Sequence, residues 1–263
     1  MKRGHKITLD NRPEASSFST YSREGNIRTV DTRRIGSPGG RIWSFLVLWL
    51  VAGVLVLLFY VSLRIGQDSE LEIWFRQFVD LNGEGNLPAW YSSALWLIGA
   101  YHCRQAGRLT KELGARRQQL GWFVVAAGCI LLSLDEAASL HETIGSLIDR
   151  HAGNPAGYAP VYTWVKVAAI AVLVVLAALL PFLASLPRST ALGLMAAGAI
   201  FLAGAMGMET LGSLVEFGSL GSWPLDLNWN RAFVIEEFLE MSGVILLSAT
   251  VRHHMSSLPT RKT

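Results

Sequence analysis

Apolar stretches alternate with short polar segments along the chain from residue 42 onward. An α-helix needs ~20 mainly apolar residues to cross a hydrocarbon layer, and lipid admits only structures that satisfy their own backbone hydrogen bonds. The pattern therefore predicts an all-α, polytopic membrane helix bundle with six transmembrane helices. The expected bounds of these helices are 42–63, 89–103, 119–140, 161–182, 191–211 and 231–251.

Lys and Arg are concentrated in every second polar segment of this pattern. They cluster in the N-terminal tail 1–41, between the second and third helices, around Arg188 and in the C-terminal tail 253–263. Because basic loops stay on the cytoplasmic side of a membrane, we expect both termini to be cytoplasmic. The first helix begins too far along the chain for a cleavable signal peptide, so we expect it to be retained. The polar, Arg-rich composition of the first tail is typical of disorder.

Composition excludes several classes of protein. With 51% hydrophobic and 16% charged residues, the chain is too apolar for an ordinary soluble domain. Basic tails alone give no support for nucleic-acid binding. Cys103 and Cys129 have no CxxC spacing and fall in or beside apolar helices, so we interpret them as packing residues. Phosphate-binding loops, dinucleotide fingerprints and nucleophile motifs are absent from the sequence, which predicts no organic cofactor and leaves any catalytic residue unassigned.

The polar segment between the first two helices contains two local signals. Residues 71–79 mix apolar and charged positions and predict a short amphipathic helix on the outer surface. Residues 80–87 are rich in Gly and Asn, which is typical of a turn, and Pro88 suits the first turn of the second helix.

Ionisable residues directly continue the third apolar helix. Asp135, Glu136, His141 and Glu142 follow an uncharged run, and such groups are costly inside a membrane. If the segment is one continuous helix, Asp135 and Glu142 share a face and acids point to at least two sides.

In the fifth helix, small residues such as Gly193 predict close packing against a neighbour.

The predicted topology places the acids of three helices at one depth. The third and fifth helices run outward, which places Asp135 ~24 Å and Glu209 ~27 Å along a layer of ~30 Å. The sixth helix runs inward and carries Glu236, Glu237 and Glu240 two to three turns below the outer surface, by the same rise per residue. We therefore expect a shared pocket in the outer leaflet. Its candidate acids are Asp135, Glu136, Glu142, Glu209, Glu216, Glu236, Glu237 and Glu240.

A divalent metal ion is the expected occupant of this pocket. The acids face few cations, and they cannot all be charged and unpaired in a low-dielectric site. Carboxylates and imidazoles on facing helices are suitable metal ligands, although the spacing departs from the Glu-x-x-His pair of dimetal bundles. The predicted ligands are Asp135, Glu136, His141, Glu209, Glu237 and Glu240, with Glu142, Lys166, Glu216 and Glu236 placed around them.

Lys166 lies about one turn inside the fourth helix, where a lone ammonium is costly. We expect it to pair with Asp135 or Glu209, the alternative being that its flexible stem lifts the charge to the interface. For Glu216 and Glu236, as for Glu142, a simpler alternative is that they reach interfacial water and cap helix ends.

Three functions remain open at this point. The first is a metal-binding membrane protein that hydrolyses or oxidises a lipid-like or other small substrate reaching the pocket from the bilayer. The second is a proton- or cation-coupled carrier, although the sequence has no internal repeat that would mark duplicated transporter halves. The third is a structural or assembly subunit that docks through residues 71–79.

Two segments, Glu84-Gly-Asn-Leu-Pro-Ala-Trp90 and Leu134-Asp-Glu-x-x-x-x-His-Glu142, resemble uncharacterised bacterial multi-pass membrane proteins. The resemblance covers the second to sixth helices. It implies a multi-pass protein of the bacterial inner membrane, and with the topology above the pocket faces the periplasm. It implies no activity.

Overall fold

The computed structural model describes residues 38–151, 162–216, 220 and 227–258, with side chains from residue 44. Within these residues the chain is entirely helical between its turns, as predicted. Residues 1–37 of the N-terminal tail and 259–263 of the C-terminal tail lie outside the described residues. The helices are α1 (Pro38–Ser62), α2 (Glu70–Phe78), α3 (Leu87–Glu112), α4 (Arg116–Ala138), α5 (Leu140–His151), α6 (Thr163–Leu183), α7 (Arg188–Leu202), α8 (Glu209–Glu216) and α9 (Trp229–Ser257).

Four of the described helical stretches are long and apolar enough to cross a membrane. They are Ser44–Ser62 in α1, Arg116–Ala138, Thr163–Leu183 and the continuous stretch Arg188–Glu216, which joins α7 to α8. A π-helical segment, Ala203–Met208, lies within the last stretch. Large apolar side chains remain exposed on these helices, as lipid-facing positions require.

Helices α3 and α9 form the centre of the bundle. They have 26 and 29 residues, which is longer than a membrane span needs. Their polar groups are too many for hydropathy to identify them as spans. Trp96 of α3 packs edge-on against Phe201 of α7 with ring centroids 4.9 Å apart. The hydroxyls of Ser93 and Ser133 lie 2.9 Å apart and connect α3 to α4. Hydrogen-bonded polar side chains of this kind hold helices together where lipid offers no hydrophobic drive.

Small residues let α7 and α9 approach closely, as the sequence predicts for the fifth helix. A Cβ atom on Gly193 would lie 2.7 Å from Thr250, and one on Gly204 would lie 2.7 Å from the backbone oxygen of Glu236. Side chains larger than hydrogen would therefore push α9 away at both levels.

The predicted surface helix and turn before α3 are confirmed. The hydroxyl of Ser69 accepts from the backbone N–H of Glu72, whose carboxylate accepts from the N–H of Ser69, and this capping box starts α2. Asn86 caps α3 by accepting from the N–H of Ala89 at 3.1 Å, with Pro88 in the first turn. The apolar face of α2 is exposed.

The prediction of one continuous helix through the acidic stretch is wrong. The chain breaks at Ser139, whose φ of 45° and ψ of 46° are left-handed, so α4 ends at Ala138 and α5 begins at Leu140. Helix α5 continues to His151, beyond the predicted end of the third transmembrane helix at residue 140. At the other end of the chain, α9 continues to Ser257, beyond the predicted start of the C-terminal tail.

Substituting Gly204 by Ala should lower stability, because the new methyl group would meet the backbone of α9. Overpacking of this kind costs ~1–3 kcal/mol. Gly198→Ala is the matched control, since a Cβ there meets nothing within 4 Å and Ala favours a helix over Gly. Thermal unfolding of the purified variants in detergent measures the difference. Equal midpoints for the two variants would contradict the close approach of α7 and α9.

Candidate functional site

A cavity of about 520 Å³ lies between α4, α6, α9 and the π-helical segment. Its volume falls in the ~300–1,000 Å³ range of small-molecule sites. All six predicted metal ligands line it, and no Lys or Arg of the described residues does. The cavity thus concentrates acids without the basic side chains that would balance them. The acids are Glu84, Asp135, Glu136, Glu142, Glu209, Glu236, Glu237 and Glu240.

Asp135 and His141 form the best-defined interaction of the site. The Oδ1 atom of Asp135 accepts from the backbone N–H of His141 at 2.8 Å, and Oδ2 lies 3.0 Å from Nδ1 of the same residue. Asp135 at the end of α4 therefore holds the first turn of α5. The left-handed residue Ser139 provides the reversal that brings His141 back to Asp135. The break in the helix is thus what makes this pair possible.

The environment of His141 favours the charged imidazolium. Burial by itself lowers the pKa of this side chain, but the hydrogen bond to Asp135 and the nearby negative charges outweigh it and raise the pKa above its ordinary value. Trp164 of α6 packs on the imidazole with ring centroids 4.6 Å apart. Burial also raises the pKa of the Glu84 carboxyl, against the opposing hydrogen bond from Ser139.

Glu209 and Glu236 are neighbouring acids of the cavity. The two carboxyl groups lie within electrostatic range of one another. A hydrogen bond between them would require a proton on one of the two groups, because two carboxylates offer only acceptors. Glu209 is the first residue after the π-helical segment. The pair therefore lies where the helical register changes.

Glu136, Glu237 and Glu240 form the deep end of the cavity, and each lies within electrostatic range of the others. Their side chains keep some accessible surface only because they face the cavity. Ser92 and Trp96 of α3 lie next to Glu136, and neither side chain lines the cavity. Glu237 and Glu240 have no hydrogen-bond or ion-pair partner among the described residues.

Two residues expected around the metal ligands lie elsewhere. Lys166 is exposed, does not line the cavity and forms no ion pair with an acid of the described residues. The expected pairing with Asp135 or Glu209 is therefore wrong, because those acids already have His141 and Glu236 as partners. Glu216 also lies outside the lining and accepts a hydrogen bond from the hydroxyl of Tyr162.

Sequence reasoning missed Glu84 as a member of the site. It lies in the turn before α3, at the end of the bundle where the predicted topology places the other acids. This predicted position was the available signal, since an acid in an outer loop lies near the depth at which the topology places the other acids. Trp164 carried no such signal, because nothing in an apolar helix marks which face meets a cavity.

The described residues contain no group of three His, Cys, Asp or Glu side chains arranged closely enough to hold a metal ion as they stand. The ligand types nevertheless suit a divalent ion. Binding one would require rotation of flexible Glu side chains toward a common point.

Asp135→Asn should lower the pKa of His141, because Asn keeps the cap on α5 but removes the negative charge. Each unit of change corresponds to about 1.4 kcal/mol. Since the pKa of folded His141 is raised, its stabilising effect is full below the unfolded value of about 6.5 and disappears as pH rises through the folded value. NMR titration of labelled histidines, with His141→Gln for assignment, measures this shift. An unchanged pKa in the variant would show that Asp135 does not set the charge on His141.

Comparison with known proteins identifies a family. No curated protein and no solved structure matches the chain. The matching family covers residues 47–254, a range that includes all eight acids of the cavity. The chain therefore belongs to the family described as "Domain of unknown function (DUF8692)".

Proposed function

We propose that this protein is a six-span membrane protein whose acidic cavity binds a divalent metal ion. In this arrangement α3 and α9 are the two spans that, with the four apolar ones, make six. Both termini are cytoplasmic. The alternation of basic and acidic connections supports this orientation. The cavity then lies in the outer leaflet of a bacterial inner membrane and faces the periplasm.

The convergence of eight carboxyl groups on one cavity without a lining Lys or Arg carries the proposal. Removing even one carboxylate from water costs several kcal/mol unless an opposite charge compensates it. Protons and His141 neutralise part of the charge. A divalent ion neutralises two further charges at one point and suits oxygen and imidazole ligands.

The ligands fall into two groups. His141 directs Nδ1 to Asp135, which leaves Nε2 as the coordinating nitrogen, in the arrangement that carboxylates impose on metal-binding histidines. Glu136, Glu237 and Glu240 supply oxygens from the deep end, and Glu209 supplies one from the π-helical side. An ion held by these residues would polarise a carbonyl or activate a water molecule. The fitting reaction class is hydrolysis or oxidation of a lipid-like substrate.

A second candidate is a proton- or cation-coupled carrier. Two observations favour it, namely the neighbouring carboxyl groups of Glu209 and Glu236 and the π-helical segment beside them. A carboxyl pair that shares a proton takes up or releases charge at low cost, and irregular helices are frequent at functional sites.

The metal proposal predicts a stoichiometric ion in the parent protein and a large loss in the variant Glu209→Gln/Glu240→Gln, because two ligand charges are removed. Glu216→Gln is the matched control, since that acid lies outside the cavity lining. Elemental mass spectrometry of protein purified without chelators measures the content.

Equal and substoichiometric metal in all three proteins would overturn the metal proposal. If the parent protein in proteoliposomes then also carried a proton flux that Glu236→Gln abolished, the carrier would take its place.

The topology is testable separately by cysteine labelling in a background that carries Cys103→Ala and Cys129→Ala. Gln67→Cys and Ser146→Cys, at exposed positions, should react with an impermeant thiol reagent added outside intact cells. Lys111→Cys, exposed at the other end of α3, should react only after the membrane is opened. Labelling of the Lys111→Cys variant in intact cells would reverse the orientation and move the cavity to the cytoplasmic side.

A further inference from the structure

One wall of the cavity is apolar and comes mainly from α6. Its lining residues are spaced three and four apart, so they form one continuous face of the helix. This face extends over nine residues, or ~12 Å along the axis. Leu131 and Leu132 of α4 and Leu202 of α7 continue it. The lining residues of α6 are Trp164, Val167, Ala168, Ala171 and Val172.

Helix α6 is fixed at its two ends and not between them. At one end Val165 is buried, and the hydroxyl of Thr163 donates to Asp149 at 2.7 Å. At the other end Phe182 packs edge-on against Trp122 with ring centroids 5.0 Å apart. No residue of α6 between Val165 and Phe182 is buried. The middle of the helix therefore closes the cavity without filling it.

The wall opposite α6 is acidic and rich in acceptors. Glu136, Glu237 and Glu240 line it, and Glu237 and Glu240 have no hydrogen-bond or ion-pair partner among the described residues. Buried polar groups without a partner are rare in native proteins. Because both carboxyl groups face the cavity, a donor or a cation on a bound molecule would satisfy them.

An apolar face and an acidic face across one cavity define an amphipathic ligand. We propose that the cavity binds a long-chain amine, with its ammonium group among Glu136, Glu237 and Glu240 and its alkyl chain along α6. An ammonium group offers three donors and a positive charge, which match carboxylates that can only accept. An anionic head group would be repelled by the same wall.

This inference rests on the proposed function in one respect only. The preference of the cavity for a cation determines the head group. The position of the chain follows from α6 alone and does not depend on a metal ion. A long-chain amine and a divalent ion would use the same carboxylates, so we expect them to compete.

The probe for this inference is hexadecylamine that carries a photoreactive diazirine midway along its chain. After irradiation of purified protein in phosphatidylcholine nanodiscs, mass spectrometry of the digest locates the adduct. We expect adducts on α6 between Trp164 and Val172 or on Leu131 and Leu132. Excess unlabelled hexadecylamine should reduce labelling at least tenfold, and excess hexadecanoic acid should leave it unchanged. Adducts confined to other helices, or equal competition by the acid, would overturn the proposal.

Variants test the two walls separately. Ala171→Trp should fill the apolar side and reduce labelling at least tenfold, whereas Leu173→Trp, on the outer side of α6 and 67% exposed, should leave it unchanged. Ala168→Leu replaces Ala171→Trp if the larger substitution lowers the yield of folded protein. Glu237→Gln/Glu240→Gln should weaken amine labelling at least tenfold. Equal labelling in the cavity variants and in Leu173→Trp would overturn the assignment of the chain to α6.

The same preparations separate this inference from the metal proposal. Labelling on α6 that excess unlabelled hexadecylamine suppresses supports the long-chain ligand even if metal content is substoichiometric. If the metal is stoichiometric and labelling of the Ala171→Trp variant equals that of the parent protein, the metal proposal is supported and this one is overturned.

Discussion

The accumulation of carboxyl groups in one cavity is the constraint on which the rest of the structure depends. Eight acids from α4, α5, α8, α9 and the turn before α3 meet there, and each needs a proton, a donor or a cation. Every neighbouring feature meets part of this need. Asp135 uses His141, Glu209 uses Glu236, and Glu84 is placed next to Ser139. The acids at the deep end remain without a basic partner in the described residues, and the function is expected to lie with them.

The helices that carry these acids are held by close packing and by hydrogen bonds. Gly204 lets the backbone of α9 approach α7 at the level of Glu236 and Glu240, so the acids are presented by a tightly packed pair of helices. Ser93 and Ser133 connect α3 to α4 behind Glu136. The opposite wall is built differently, because the buried side chains of α6 lie only near its two ends. The cavity therefore has one closely packed polar side and one loosely packed apolar side.

Much of this arrangement follows from the sequence because charge and hydropathy act over whole helices. The apolar runs predict the all-α fold. Counting residues from the basic loops predicts that Asp135, Glu209 and Glu240 lie at one depth. The structure places them in one cavity. Local events were not predictable in this way. The turn at Ser139 depends on a side chain that caps the following helix, and this competes with the simple continuation of α4.

The position of Lys166 shows a second limit of sequence reasoning. A cation near many acids suggests a pair, but the flexible side chain is exposed on α6, while the acids have nearer partners. The rotation of α6 about its axis decides this outcome. That rotation is set by Phe182 and Trp164 at its ends, which a charge count does not include.

The π-helical segment Ala203–Met208 stores a shift of helical register next to the site. A π turn holds one more residue than the α turn it replaces. If the segment relaxed to α-helix, every residue after it would turn by about 100° relative to α7 and move by ~1.5 Å along the axis. Glu209 would then leave Glu236 and point toward a different neighbour. A change of one backbone hydrogen-bond pattern would thus give a carboxyl group of the cavity a new neighbour.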